Sequence, residues 1–169
     1  MTEHRCFGIA GWKNSGKTTL VSELVRNLTH RGLRVSTMKH AHHAFDLDKE
    51  GTDSFKHRTA GAKEVLLVSE NRWAIQHELG DQPEPPFEEL LQKLSPCDLV
   101  IVEGYKRENI PKLEIIGDTS TSKPLWPGNN NIKAIACDRS VEGCDLPRFL
   151  RSQTTEIADF ILNFYGISQ

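Results

Sequence analysis

The chain lacks the uninterrupted run of roughly twenty apolar residues that a membrane-crossing helix needs. It also lacks any excess of positive charge: 21 lysines and arginines stand against 23 acids, a net of −2. Phosphate backbones are gripped by basic faces, so this balance argues against a nucleic-acid partner, and the missing run argues against a membrane. The four cysteines, Cys6, Cys97, Cys137 and Cys144, contain no C-x-x-C pair and no metal-finger spacing, which removes zinc modules and dithiol redox centres. Cys6 and Cys137 fall in apolar segments that read as buried strands, where a thiol is an inert core residue. There are no internal repeats and no linker-like stretch. Met1-Thr2-Glu3-His4-Arg5 runs straight into the first apolar segment, so a reducing, cytosolic compartment without a signal peptide is expected. What remains is 37% hydrophobic and 26% charged. That composition describes one globular domain over residues 1–169, long enough to bury roughly two thirds of its unfolded surface.

Against that plain background one stretch carries chemistry. Gly11-Trp12-Lys13-Asn14-Ser15-Gly16-Lys17-Thr18-Thr19 satisfies G-x-x-x-x-G-K-[ST], the signature of a phosphate-binding loop. With glycine at about 7% of average usage, a chance match in a chain this long is on the order of one in a hundred or rarer. The flanks agree with it. Cys6 to Ala10 reads as a buried strand, and Leu20, Val21, Leu24, Val25 and Leu28 recur with helical spacing. In a strand–loop–helix unit, Gly11 and Gly16 let backbone N–H groups close around phosphate oxygens, and the helix N-terminus adds partial positive charge. Lys17 reaches the β and γ phosphates, the Thr18 hydroxyl ligates Mg²⁺, and Lys13, Asn14, Ser15 and Thr19 complete the nucleotide-contacting loop.

Further along, Gly32 ends the first helix and 33–39 reads as a second strand. A polar segment with His40, His42, His43, Asp46 and Asp48 follows, then a short helix from Thr52 through Arg58. Residues 63–68 and 72–78 form an expected hairpin. A Pro-rich connector leads to a helix with Phe87, Leu90, Leu91 and Leu94 on one face. Residues 98–103 form a continuous apolar strand bracketed by acids, and 113–116 and 132–137 are further strands. The loop 118–131 is rich in Ser, Thr, Pro, Gly and Asn, and a loop that long tends to be functional. The last helix carries Ile157, Phe160, Ile161 and Phe164. The alternation predicts an α/β fold, a P-loop NTPase-like, mostly parallel sheet flanked by helices, with an antiparallel hairpin.

Ligands of such sheets sit beyond the carboxyl ends of the strands. Glu103 lies at that end of its strand and Asp98 at the other, so Glu103 is the candidate for holding Mg²⁺ or its water. Gly104 lets the backbone pass close to the ligand. Lys106 either adds charge near the phosphates or faces solvent. The histidine–aspartate segment leaves the second strand on the same side, which suits a nucleotide-sensing switch. His40 is then a nucleotide contact, and Asp48 a second catalytic and metal-binding candidate beside Glu103. Dedicated transition-metal binding by the histidines is the alternative, with a spacing that specifies no site. Asp138 follows a strand and is a candidate for accepting the two donors of guanine; an ordinary turn acid would look the same.

Three segments together, GWKNSGKTT, KHAHHAFDLDKEGTDSFKHRTAGA and DLVIVEGYK, resemble the molybdopterin-guanine dinucleotide biosynthesis protein B (MobB) family over roughly residues 5–165. The resemblance implies a homodimeric P-loop protein that binds GTP with Mg²⁺. It implies assistance to the molybdopterin guanylyltransferase in molybdenum cofactor biosynthesis, with weak GTP hydrolysis and so at most a slow GTPase. On the matching positions it implies roles for Gly11, Gly16, Lys17, Thr18, Glu103 and the segment His40 to Asp48. A small-molecule kinase and a GTP-driven metallochaperone are the alternatives that the same loop allows. No arginine-rich lid is evident for the kinase, since Arg148 and Arg151 lie outside an obvious lid loop.

Overall fold

The computed structural model describes residues 4–41, 45–117 and 122–168. In chain order the elements are β1 (Cys6–Gly11), α1 (Lys17–His30), β2 (Val35–Lys39), α2 (Asp53–Thr59), β3 (Glu64–Val68), β4 (Trp73–His77), α3 (Phe87–Leu91), β5 (Leu99–Glu103), β6 (Lys112–Ile115), β7 (Ile132–Ala136), β8 (Arg148–Phe149) and α4 (Thr154–Phe164). They divide into two compact units, residues 1–40 with 91–169, and residues 41–90.

The first unit is a six-stranded sheet in the order β2-β5-β1-β6-β7-β8, with every pairing parallel. Alternation along β1 explains why it sits near the middle. Phe7 and Ile9 point into one apolar cluster with Leu20, Leu24 and Leu28 of α1 and Ile157 and Ile161 of α4. Ala10 faces the opposite cluster with Ile116, Ile132, Ile135 and Cys137. A strand buried on both faces reads as a continuous apolar run, and all five residues of β5 are buried. The Phe7 ring meets the edges of Phe160, Phe164 and Tyr165 at 6.0–6.5 Å, and the Tyr165 hydroxyl donates to the Cys6 carbonyl at 2.6 Å. Burial pushes the Cys6 thiol up to about 11, which suits an inert core cysteine.

Two polar side chains are built into β6. The fully buried Lys112 donates to the carbonyls of Glu108 and Ile110, and burial brings its amine down to about 8. Glu114 accepts the backbone N–H groups of Leu125 and Trp126 at 2.8 and 2.9 Å. Both satisfy backbone groups of irregular segments, which a buried polar group must do to be tolerated.

The second unit holds the expected hairpin: β3 and β4 pair antiparallel, Val68 opposite Trp73 and Leu66 opposite Ile75. Asp48, its side chain 3% exposed, lies in the fork of Arg58, with Nη2–Oδ1 and Nε–Oδ2 distances of 2.9 and 3.3 Å. Among the described residues no helix is long and apolar enough to cross a membrane.

The expected strands shift by one or two residues at their ends, and one helix is shorter than expected. The helix expected to carry Leu94 stops at Leu91 and closes with a turn from the Leu94 N–H to the Leu91 carbonyl. Pro96 disfavours helix at the residue before it. The two-residue strand β8 was not anticipated, since a pair of residues carries no periodicity.

Candidate functional site

The turn after β1 is shaped by backbone strain at defined positions. Gly11 has φ +148°, Asn14 +62° and Gly16 +97°, and the Ser15 N–H donates to the Trp12 carbonyl at 3.2 Å. Neighbours leave no room for a side chain on Gly11: a Cβ there would stand 2.6 Å from the Ile115 carbonyl oxygen. At Gly16 a Cβ would meet nothing within 4 Å. Helix α1 begins with Gly16 as N-cap, no side-chain cap and no acid in its first turn. A helix start of that kind presents unpaired N–H donors and a positive dipole end without a competing carboxylate. The Ser15 hydroxyl, in a residue 2% exposed, has no hydrogen-bond partner among the described residues. It packs inward beside Gly11, and the donors open to a ligand are the backbone N–H groups of the loop. The cradle fits a phosphate.

Lys17 folds back, its ammonium donating to the Trp12 carbonyl at 2.7 Å. Burial lowers its pKa, helped by the charge of Lys106 and of Lys39 and opposed by Glu103. Lys106 lies over the Trp12 ring, 4.0 Å from its centroid, and the Trp12 indole donates to the Lys123 carbonyl at 2.9 Å. Positive charge thus gathers at one mouth.

The carboxyl ends of β2 and β5 lie side by side, with Lys39 in register with Glu103. The Thr18 hydroxyl donates to Glu103 Oε1 at 2.9 Å, and Lys39 Nζ stands 3.1 Å from the same oxygen. The backbone N–H of His40 donates to the Glu103 carbonyl at 3.0 Å, and its ring packs edge-on to Tyr105 at 5.0 Å. Gly104 passes this close because it has no side chain: a Cβ would come within 3.4 Å of the His40 Cβ. Thr18 and Glu103 form the all-oxygen pair that magnesium takes alongside substrate phosphates, so the residues present fit that ion.

The other candidates are placed differently. Lys13, Asn14 and Thr19 are exposed along the loop and helix start. Asp48 belongs to the second unit, where Arg58 holds its carboxylate below the usual range. Asp138 accepts from the Arg151 backbone N–H at 3.0 Å and from its guanidinium at 2.6 Å, and these bonds lower its pKa. His42, His43 and Asp118 lie outside the described residues. Among the described residues no group of three or more His, Cys, Asp or Glu side chains is placed to hold a metal by itself. Sequence reasoning missed Lys39. Its only signal was a lysine closing the strand before the histidine segment, and the pairing of that strand with β5 has no local signature.

Comparison with known proteins finds relatives over most of the chain. The family model described as "Molybdopterin guanine dinucleotide synthesis protein B" (MobB) matches residues 6–138. A Haemophilus influenzae protein named molybdopterin-guanine dinucleotide biosynthesis adapter protein is 39% identical over 160 residues, 93% of this chain and 87% of that one. Its Escherichia coli namesake is 39% identical over 117 residues, covering 68% and 67%. Among solved structures, a MobB protein homolog from Bacillus stearothermophilus superposes with a TM-score of 0.73 at 25% identity, covering 97% and 99% of the two chains. A molybdopterin-guanine biosynthesis protein B structure gives 0.73 at 28%, covering 94% and 99%.

Proposed function

The chain belongs to the MobB family, and from that membership we propose that it is a GTP-binding adapter of molybdenum cofactor biosynthesis that serves the molybdopterin guanylyltransferase in the cytosol. The observation that carries the nucleotide part is the uncapped α1 start behind a strained glycine turn, with Thr18 hydrogen-bonded to Glu103 at 2.9 Å. Backbone N–H groups and Lys17 bind the phosphates. Thr18 and Glu103 hold Mg²⁺, which when bound neutralises phosphate charge. Hydrolysis of the bound GTP is slow at most. Asp138 reads guanine with the acceptor capacity that Arg151 leaves it; a carboxylate has about four acceptor sites.

The test is titration of the purified chain with GTP, GDP and ATP, with Mg²⁺ and with EDTA, in the presence and absence of purified guanylyltransferase. GTP should bind at least about tenfold more tightly than ATP, the gain from one well-formed polar contact, and the enzyme should co-sediment with the chain. Asp138→Asn should erase the base preference. No affinity for any purine nucleotide would remove the reading, and an unchanged preference would remove Asp138 alone.

We also infer a homodimer. Leu66, Val68, Trp73 and Ile75 share one face of a sheet of only two strands, and they are 49–72% exposed. A two-stranded sheet is marginal in water and its edges invite pairing between chains, and a second copy paired along an edge also brings apolar side chains to cover that face. Wild type should sediment as a dimer at micromolar concentration and Trp73→Lys/Ile75→Lys as a monomer. A monomeric wild type, or a variant of undiminished mass, would contradict the dimer.

A further inference from the structure

Lys39 makes contacts that no nucleotide-loop motif accounts for. Its ammonium lies 3.1 Å from Glu103 Oε1 and 3.5 Å from Thr18 Oγ1, the two oxygens that would otherwise be drawn on by a divalent cation. Glu103 is 11% exposed in its side chain and Lys39 57%, so the carboxylate is fixed while the lysine stem has room to move. Strand pairing secures the arrangement, because Lys39 and Glu103 are register partners at the ends of β2 and β5. A buried carboxylate without a countercharge is unfavourable, and Lys39 supplies that charge before any ligand arrives.

We propose that Lys39 is a resident counter-cation of the metal–phosphate site, which holds Glu103 and Thr18 in place and balances phosphate charge when the divalent ion is missing. The inference rests on the nucleotide reading above. Its electrostatic logic is one of competition. Lys39 Nζ occupies the Oε1 atom that also accepts the Thr18 hydroxyl, so a divalent ion cannot take that oxygen without displacing the lysine. The half-exposed Lys39 is the group that yields. The consequence is a protein whose nucleotide affinity depends only modestly on Mg²⁺, because a built-in charge partly replaces it.

The measurement is the ratio of dissociation constants for N-methylanthraniloyl-GTP in EDTA and in Mg²⁺, compared among wild type, Lys39→Met and Lys39→Arg. Each ratio is internal to one protein, so a general loss of stability does not imitate the effect. Lys39→Met should raise the ratio by about tenfold, within the usual range for coupled sites, mainly by weakening metal-free binding. Lys39→Arg, keeping the charge, should stay near wild type. If Lys39→Met does not fold, Lys39→Gln carries the same expectation. A ratio in the neutral variant within twofold of wild type, with nucleotide still bound, overturns the role of Lys39 and leaves the nucleotide site standing. Wild type that binds no nucleotide in either condition overturns both.

Discussion

Lys17→Ala is expected to weaken GTP binding by about a hundredfold, the loss of a charge-assisted contact to phosphate worth roughly 3 kcal/mol, while leaving the fold intact. The separation follows from what Lys17 does in the free protein. Its ammonium donates to the Trp12 carbonyl, and that oxygen also accepts the Ser15 N–H, so removing the lysine leaves no buried group without a partner. Burial and two neighbouring lysines already press on its charge, a tension that an arriving phosphate relieves. Lys17→Arg should not restore affinity, because a planar fork does not replace a compact ammonium inside a closed loop. Calorimetric titration and a thermal melt on the same samples check both halves. Affinity within about threefold of wild type would mean that Lys17 does not bind the phosphates.

The division between what could be read from the residues and what could not follows the range of the forces involved. Strand β1, the loop and helix α1 were legible together because the motif, the apolar alternation and the 3.6-residue spacing are all local. Strand β5 was legible as an apolar run, and the hairpin as two β-rich runs around a short turn. The strand order β2-β5-β1-β6-β7-β8 was not, since which strands neighbour one another is decided by long-range packing. That ignorance had a direct functional consequence. Glu103 could be placed at the ligand end of its strand, but Lys39 beside it could not, because their register is a tertiary fact. Asp48 and Asp138 show the same limit from the other side. Both are acids at positions suited to a ligand, and each is engaged by an arginine, Arg58 ten residues on and Arg151 thirteen residues on. Position selects candidates, whereas the partner of a carboxylate depends on where a long flexible cation folds to.

Gly11→Ala should be the most damaging single methyl in the protein, lowering the melting temperature by about 10 °C as well as abolishing nucleotide binding. Two penalties coincide at this position. Its φ of +148° is foreign to a residue with a Cβ, a strain of about 1–2 kcal/mol. The methyl would also meet the Ile115 carbonyl oxygen at 2.6 Å and the Ser15 hydroxyl at 2.7 Å. Neither neighbour yields easily. Ile115 is paired with Gly11 on one side and with Ala136 on the other, so its carbonyl is held by the middle of the sheet, and Ser15 belongs to the loop itself. Overpacking of this kind adds about 1–3 kcal/mol, and at roughly 2–4 °C per kcal/mol for a chain of this size the sum gives the stated shift. Gly16→Ala is the control that makes the argument specific. Its φ of +97° imposes similar strain, yet a Cβ there meets nothing within 4 Å, so it should melt only a few degrees below wild type. The open space at Gly16 is where a phosphate is expected to approach, so that variant too should lose affinity. Equal melting temperatures for the two variants would show that the close approach of β6 to the start of the loop does not constrain it.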